Sequence, residues 1–118
     1  MKEFLLVYRS DENAMKALVT RTPGEMQASN KRWMDWIGGI AAQNKLSARG
    51  NKLIPSGKVI KNDTIIADGP YMEIKECLIG YSIVKSNSLE EATELAMGCP
   101  VFYIGGTVEV REIGVFQD

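Results

Sequence analysis

The stretch EFLLVYR, residues 3–9, decides the fold that this sequence predicts. Successive side chains of a β-strand point to opposite faces, so the apolar residues divide into Phe4, Leu6 and Tyr8 on one face and Leu5 and Val7 on the other. A strand that is apolar on both sides needs a cover on both sides. Helices can supply one cover, and the second must come from another source.

Two capped segments downstream predict the helices. Thr22-Pro23-Gly24-Glu25 combines an N-cap, a proline at the first helical position and a capping-box glutamate, so a helix is expected from Pro23 to about Leu46. Its apolar stripe consists of Met26, Trp33, Met34, Trp36, Ile37, Ile40 and Ala41. Ser88 opens a second helix that ends near Met97, and residues 14–19 predict a short third one.

The remaining segments predict strands and loops. Residues 47–57 are interpreted as a loop, because Gly50, Pro55 and Gly57 interrupt them. Residues 58–61 and 64–67 predict a tight hairpin, residues 68–76 a connecting loop, residues 77–84 a strand and residues 107–113 the last strand. Residues 101–104 are apolar and fit no single type of element.

This order of elements predicts an α+β fold, a ferredoxin-like (split βαβ) sandwich with an inserted β-hairpin. Its helices cover one face of the sheet. The other face carries too many apolar groups to be left in water. A second copy of the chain, packed sheet to sheet, is the simplest cover, and we therefore expect a homodimer with a cleft between the two copies.

Length and charge limit the function. A chain of 118 residues fits one domain, residues 1–118, and 14 basic against 15 acidic residues give a net charge of -1 without any basic block. Nucleic-acid binding is therefore not expected, and no segment is apolar enough for a signal peptide or a membrane span. Cys77 and Cys99 do not form a paired-spacing motif, which favours reduced thiols and a cytoplasmic location.

The absence of histidine restricts the chemistry further. With 0 histidines the commonest general base and the commonest metal ligand are both missing. Two isolated cysteines do not make a zinc site, and we expect neither a metal nor a cofactor. Any catalysis must use Asp, Glu, Lys, Tyr, Cys or Arg.

The densest group of reactive side chains follows the hairpin, in Asp68-Gly69-Pro70-Tyr71 and the adjacent Glu73, Lys75 and Glu76. Asp68 is the candidate catalytic base, if burial raises its pKa. The alternative is that Asp68 forms a turn by bonding to nearby backbone N–H groups.

Six other residues are candidate ligand contacts: Tyr71, Lys75, Glu76, Tyr81, Glu109 and Arg111. The tyrosines can donate phenol hydrogen bonds to a ligand or can be core aromatics, and Lys75 and Glu76 can hold a ligand or form an exposed ion pair. Arg111 can bind a carboxylate through two hydrogen bonds. The alternative is a structural salt bridge with Glu109.

Three motifs resemble a known family. The run Asp68 to Glu76, then Gly80-Tyr81, then Val108 to Arg111 is similar to the DGPF-domain proteins of the YCII-related group, with Tyr71 in place of the usual Phe. The resemblance implies a dimeric α/β barrel and, for some members, a link to extracytoplasmic-function sigma factors. The His-Asp pair proposed as catalytic in some relatives has no counterpart here.

Three hypotheses about function follow. The first is a small-molecule-binding or regulatory module that acts as a homodimer with a cleft near the Asp-Gly-Pro-Tyr loop. The alternative is a lyase or isomerase that uses Asp68 as general base, Tyr71 or Tyr81 as hydrogen-bond donor and Arg111 as anchor. In the third, the Asp68 loop is a structural element of the dimer.

Overall fold

A computed structural model of the chain describes residues 1–11, 13–14, 20–54, 56–68 and 77–117, with the backbone alone for residues 66–68. The elements are β1 (Lys2–Ser10), α1 (Pro23–Ala42), β2 (Leu46–Lys52), β3 (Lys58–Lys61), β4 (Thr64–Asp68), β5 (Cys77–Ser86), α2 (Leu89–Ala96), a 3-10 helix (Pro100–Ile104) and β6 (Thr107–Glu112). The short helix predicted over residues 14–19 falls, after Ala14, outside the described residues.

The main sheet has four antiparallel strands in the order β2-β5-β1-β6, and α1 and α2 connect β1 to β2 and β5 to β6. This mixed α+β arrangement is compatible with the predicted ferredoxin-like fold. The inserted hairpin is confirmed as a separate sheet of β3 and β4. Its two turn residues, Asn62 and Asp63, both have positive φ, of 51° and 62°, as a type I′ turn requires.

The two faces of β1 differ as the alternation predicts. Phe4, Leu6 and Tyr8 are buried on the side that carries the helices, in one core with Ile40 and Val84. Leu5 and Val7 are half-buried on the other side. In the part of the chain that the structure describes, the helices therefore cover one face of the sheet.

Three aromatic rings join α1 to the sheet. Tyr8 lies edge-on to Trp33 and Trp36, with ring centroids 4.9 and 6.1 Å away, and the two indoles contact each other at 5.7 Å. The indole N–H of Trp36 also donates to the Leu95 carbonyl at 2.9 Å, which joins α1 to α2. Edge-on packing of this kind contributes about 0.5–1.5 kcal/mol per pair beyond the area buried.

The loop predicted over residues 47–57 is wrong in its first half, because Leu46–Lys52 forms β2 at the edge of the sheet. This strand is polar, contains a glycine and pairs with β5 through two register shifts, so it lacks the pattern that marks a strand in sequence. The helix predicted to Leu46 ends instead at Ala42. Asn44, with a φ of 59°, takes the left-handed conformation that stops it.

The apolar stripe predicted for α1 is narrower than expected. Ile40 is buried and Trp33, Trp36 and Ile37 are half-buried, but Met26 and Met34 are 46% and 62% exposed and Ala41 is exposed. The stripe faces the sheet over one arc of the helix, and Met34 lies outside that arc. The apolar residues 101–104 belong to the 3-10 helix, which ends at Gly105 with a φ of 72°.

Leu6→Ala tests the assignment of the core. Leu6 is fully buried, so the substitution should lower the free energy of unfolding by about 2–5 kcal/mol through lost apolar contact and a residual cavity. Leu89→Ala is the matched control, since Leu89 is 48% exposed, and it should cost less than about 1 kcal/mol. Urea denaturation measures both values, and equal costs would contradict the assignment.

Candidate functional site

The Asp68 loop joins the end of β4 to the start of β5. The Asp68 backbone closes β4 and Cys77 opens β5, while residues 69–76 and the Asp68 side chain lie outside what the structure describes. The roles assigned to Asp68, Tyr71, Lys75 and Glu76 therefore stay predictions.

Tyr81, Glu109 and Arg111 lie together on the face of the sheet opposite the helices. Val7 of β1 pairs with Tyr81 of β5 on one side and with Glu109 of β6 on the other, and Leu5 pairs with Arg111. One strand separates Tyr81 from Glu109, which corresponds to about 10 Å between their backbones. We call this surface, which consists of Leu5, Val7, Arg9, Tyr81, Ile83, Glu109 and Arg111, the open face.

A salt-bridge cluster occupies one side of the open face. The Glu109 carboxylate accepts from Arg9 Nη2 at 3.0 Å and from Arg111 Nη1 at 3.1 Å, so each of its oxygens has a cationic donor. This geometry matches the structural interpretation of Glu109 and Arg111. The Arg111 side chain is 72% exposed, so its bond to Glu109 is a surface contact of less than about 1 kcal/mol.

A cavity of about 1000 Å³ lies on the helix-bearing side of the sheet. It lies between α1, the 3-10 helix and the paired strands β2 and β5. The residues that border it include Tyr8, Arg21, Glu25, Ser29, Arg32, Trp33, Ile37, Arg49, Gly50, Asn51, Lys52, Leu53, Ile79, Gly80, Tyr81, Ser82, Tyr103 and Ile104. Tyr81, which strand alternation assigns to the open face, is also among the bordering residues, and its backbone carbonyl lies next to Gly50 of β2. Of the candidate site residues whose side chains the structure describes, Tyr81 alone borders the cavity.

Two glycines keep the strands under the cavity close together. Gly50 has a φ of 74°, and a Cβ at this position would overlap the Tyr81 carbonyl. A Cβ on Gly80 would come within 3.0 Å of the Asn51 carbonyl oxygen and 3.3 Å of the Tyr8 ring. Because neither residue carries a side chain, β2 can pair with β5 and the space above the strands stays open.

A chain of hydrogen bonds runs along one end of the cavity. The Tyr8 hydroxyl donates to Ser82 Oγ at 2.6 Å, and Ser82 Oγ donates to the Arg49 carbonyl at 2.6 Å.

Two buried groups, the Tyr8 phenol and the Cys99 thiol, have raised pKa values. Burial raises the pKa of Tyr8 well above its ordinary value, although the bond to Ser82 opposes this effect. Burial also raises the pKa of the Cys99 thiol to about 12. Neither group is ionised near neutral pH, so neither is a ready base or nucleophile.

Cationic residues border the cavity on two sides. Arg32 comes from α1, Arg49 and Lys52 come from β2, and Arg21 precedes α1. The Arg32 guanidinium lies over the Tyr103 ring, 4.2 Å from its centroid. Arg49 and Lys52 were not predicted because β2, a polar strand without a clear strand pattern, was interpreted as a loop. Arg32 lies in α1 and Arg21 precedes it, and a cavity that they share with β2 is a tertiary feature that no local pattern predicts.

A metal-binding group and a membrane-spanning helix are both absent among the described residues. No group of three or more Cys, Asp and Glu side chains there has the arrangement that could hold a metal ion. No helix in the same part of the chain combines the length and apolar character that a membrane crossing needs.

Alkaline pH should weaken the fold through Tyr8 and Cys99. Both pKa values are raised in the folded state, so their contribution is complete below about pH 9, the ordinary pKa of a thiol, and is lost as the pH rises toward 12. Urea midpoints measured from about pH 8 to about pH 11 should fall, and Tyr8→Phe or Cys99→Ala should make the fall shallower. Tyr103→Phe is the control because this phenol is 72% exposed, and a slope unchanged by Tyr8→Phe would contradict the prediction.

Comparison with known families places the chain. The model of the YCII-related domain matches residues 3–117, which is nearly the whole sequence. The comparison with curated proteins finds no match. The DGPF-domain proteins that the sequence resembles and the YCII-related family are the same family under two names. The chain therefore belongs to the YCII-related domain family.

Proposed function

We propose that this chain is a homodimeric domain that binds a small molecule in the cavity between α1 and β2. The cavity carries the proposal, because its volume of about 1000 Å³ is at the upper end of the range for ligand sites. Its boundary is also of the expected kind. Tyr8, Trp33 and Ile37 provide apolar surface, and Ser29, Asn51 and the cations provide polar groups.

The open face supports the homodimer. Leu5, Val7 and Ile83 are half-buried in the centre of this face, Leu78 at its margin is 49% exposed, and no described residue of the same chain covers them. Two such faces packed together form an isologous sheet-to-sheet interface. This arrangement corresponds to the dimeric α/β barrel that the family resemblance implies.

The hairpin is a second observation in favour of the dimer. β3 and β4 pair with each other and with no other strand in the described part of the chain, and Ile60 and Ile65 are 67% and 53% exposed. An isolated two-stranded hairpin has little stability of its own in water. A second copy that covers its isoleucines would supply the missing contacts.

The position of the Asp68 loop in the chain, directly before β5, supports a site near this loop. It leads into β5, whose Ile79, Gly80 and Ser82 border the cavity. A binding role suits these features better than the lyase or isomerase alternative, which needs Asp68 to act as a base. A sigma-factor partner and a cytoplasmic location stay predictions that accompany the proposal.

Val7→Lys tests the homodimer. The new ammonium group would face Glu109 across the strand pair, so the single chain should keep its fold, but two charged faces should no longer pack together. Light scattering at micromolar concentration should give twice the chain mass of 13.1 kDa for the parent protein and the single mass for the variant. Met34→Lys, on the exposed side of α1, is the control and should remain a dimer. A parent protein that is monomeric would refute the dimer.

A fragment screen by NMR tests the cavity. The screen uses neutral, anionic and cationic aromatic fragments. At least one of them should shift the NMR signals of the Trp33 indole and of the amides of residues 49–53, which border the cavity. Signals of the hairpin residues 58–61 serve as the internal control, because the hairpin does not border it. If no fragment shifts the cavity signals, small-molecule binding at this site is wrong.

A further inference from the structure

We infer that the ligand of the cavity is an aromatic or similarly flat anion, whose anionic group is bound by Arg32 and Arg49. This inference rests on the proposed function and adds the chemical class of the ligand to it. Its basis is the positive charge at the border of the cavity, the absence of an ion pair at Arg32 and Arg49 among the described residues, and the apolar surface beside them.

The cavity gathers positive charge in a chain that is slightly acidic. Four cations border it against one acid, Glu25, so the described border carries a formal charge of 4 - 1 = +3. The whole chain has a net charge of -1. A concave site with charge of one sign attracts ligands of the opposite sign, and this site selects against cations and divalent metals.

Among the described residues, Arg32, Arg49 and Lys52 lack the carboxylate partners that several other cations have. Lys31, Lys45 and Arg111 each contact a carboxylate at 2.7–3.1 Å. Within the described residues, no carboxylate forms an ion pair with Arg32, Arg49 or Lys52. Their charge is therefore available to a ligand.

Arg32 is the strongest candidate among them. Its Nε atom is buried and has no hydrogen-bond partner among the described atoms, and an unmet buried donor is costly. Its guanidinium lies on the Tyr103 ring at 4.2 Å. Stacking uses the face of the guanidinium and leaves its N–H edges free, which is the geometry that suits an anionic oxygen group.

The apolar border determines the rest of the ligand. Trp33, Ile37 and Ile79 provide a surface that a bare inorganic anion would not use, and Gly50 and Gly80 add no side chains below it. Tyr8 lies edge-on to Trp33 at 4.9 Å, so these two rings hold each other in place. A flat apolar group that carries one carboxylate matches both parts of the cavity.

A pair of probes of equal shape tests this inference by calorimetry. β-Naphthoate carries a carboxylate and β-naphthamide does not, so the naphthoate should bind at least about tenfold more tightly. Arg49→Gln should remove most of this difference and leave the amide unaffected. Arg49 is exposed, so this variant should fold. Arg32→Gln should act in the same way, and Arg32→Lys should recover part of the affinity.

Lys31→Gln is the matched control. Lys31 lies next to Arg32 on α1, is paired with Asp35 at 2.7 Å and does not border the cavity, so its loss should change neither affinity. Equal binding of the two probes, or naphthoate binding that survives both arginine substitutions, would overturn the inference and leave small-molecule binding intact. If neither probe binds and the NMR screen finds no cavity ligand, the proposed function fails together with the inference.

Discussion

On the helix-bearing side of this protein, the packing of α1 against the sheet depends on the side chain of Tyr8. Its ring packs edge-on against Trp33 and Trp36 of α1, and its hydroxyl donates to Ser82 of β5, which in turn donates to the Arg49 carbonyl of β2. One residue of β1 thus connects three other elements. The same contacts set the distance between α1 and the sheet, and the cavity occupies the space that this distance leaves at one end.

The two faces of the sheet therefore have different features. The helix-bearing face has a closed core around Phe4, Leu6 and Val84 and a cationic cavity beside it. The open face has an apolar centre with an ion-pair cluster at its side, formed by Arg9, Glu109 and Arg111. A cavity needs access to solvent and an apolar centre needs to be covered, so the proposed ligand site and the proposed dimer interface do not compete for one surface.

The candidate site was predictable only in part. Sequence placed Glu109 and Arg111 together correctly, because residues two apart on a strand share a face. It did not reveal that Arg32, Arg49 and Lys52 border one cavity, since this requires α1 to pack on the sheet and β2 to pair with β5. That pairing depends on Gly50 and Gly80, whose missing side chains let two irregular strands approach. No local pattern in a polar edge strand predicts such a close approach of two strands.

Local physical chemistry is what the sequence alone determined: the alternation of β1, the capped starts of α1 and α2, the hairpin turn at Asn62-Asp63 and, through its motifs, the YCII-related family. Each depends on residues close together in the chain, where period, caps and turn preferences act directly. The tertiary structure alone decided the end of α1, the existence of β2 and the cationic border of the cavity. These depend on contacts between distant segments, whose geometry is set by packing rather than by local preference.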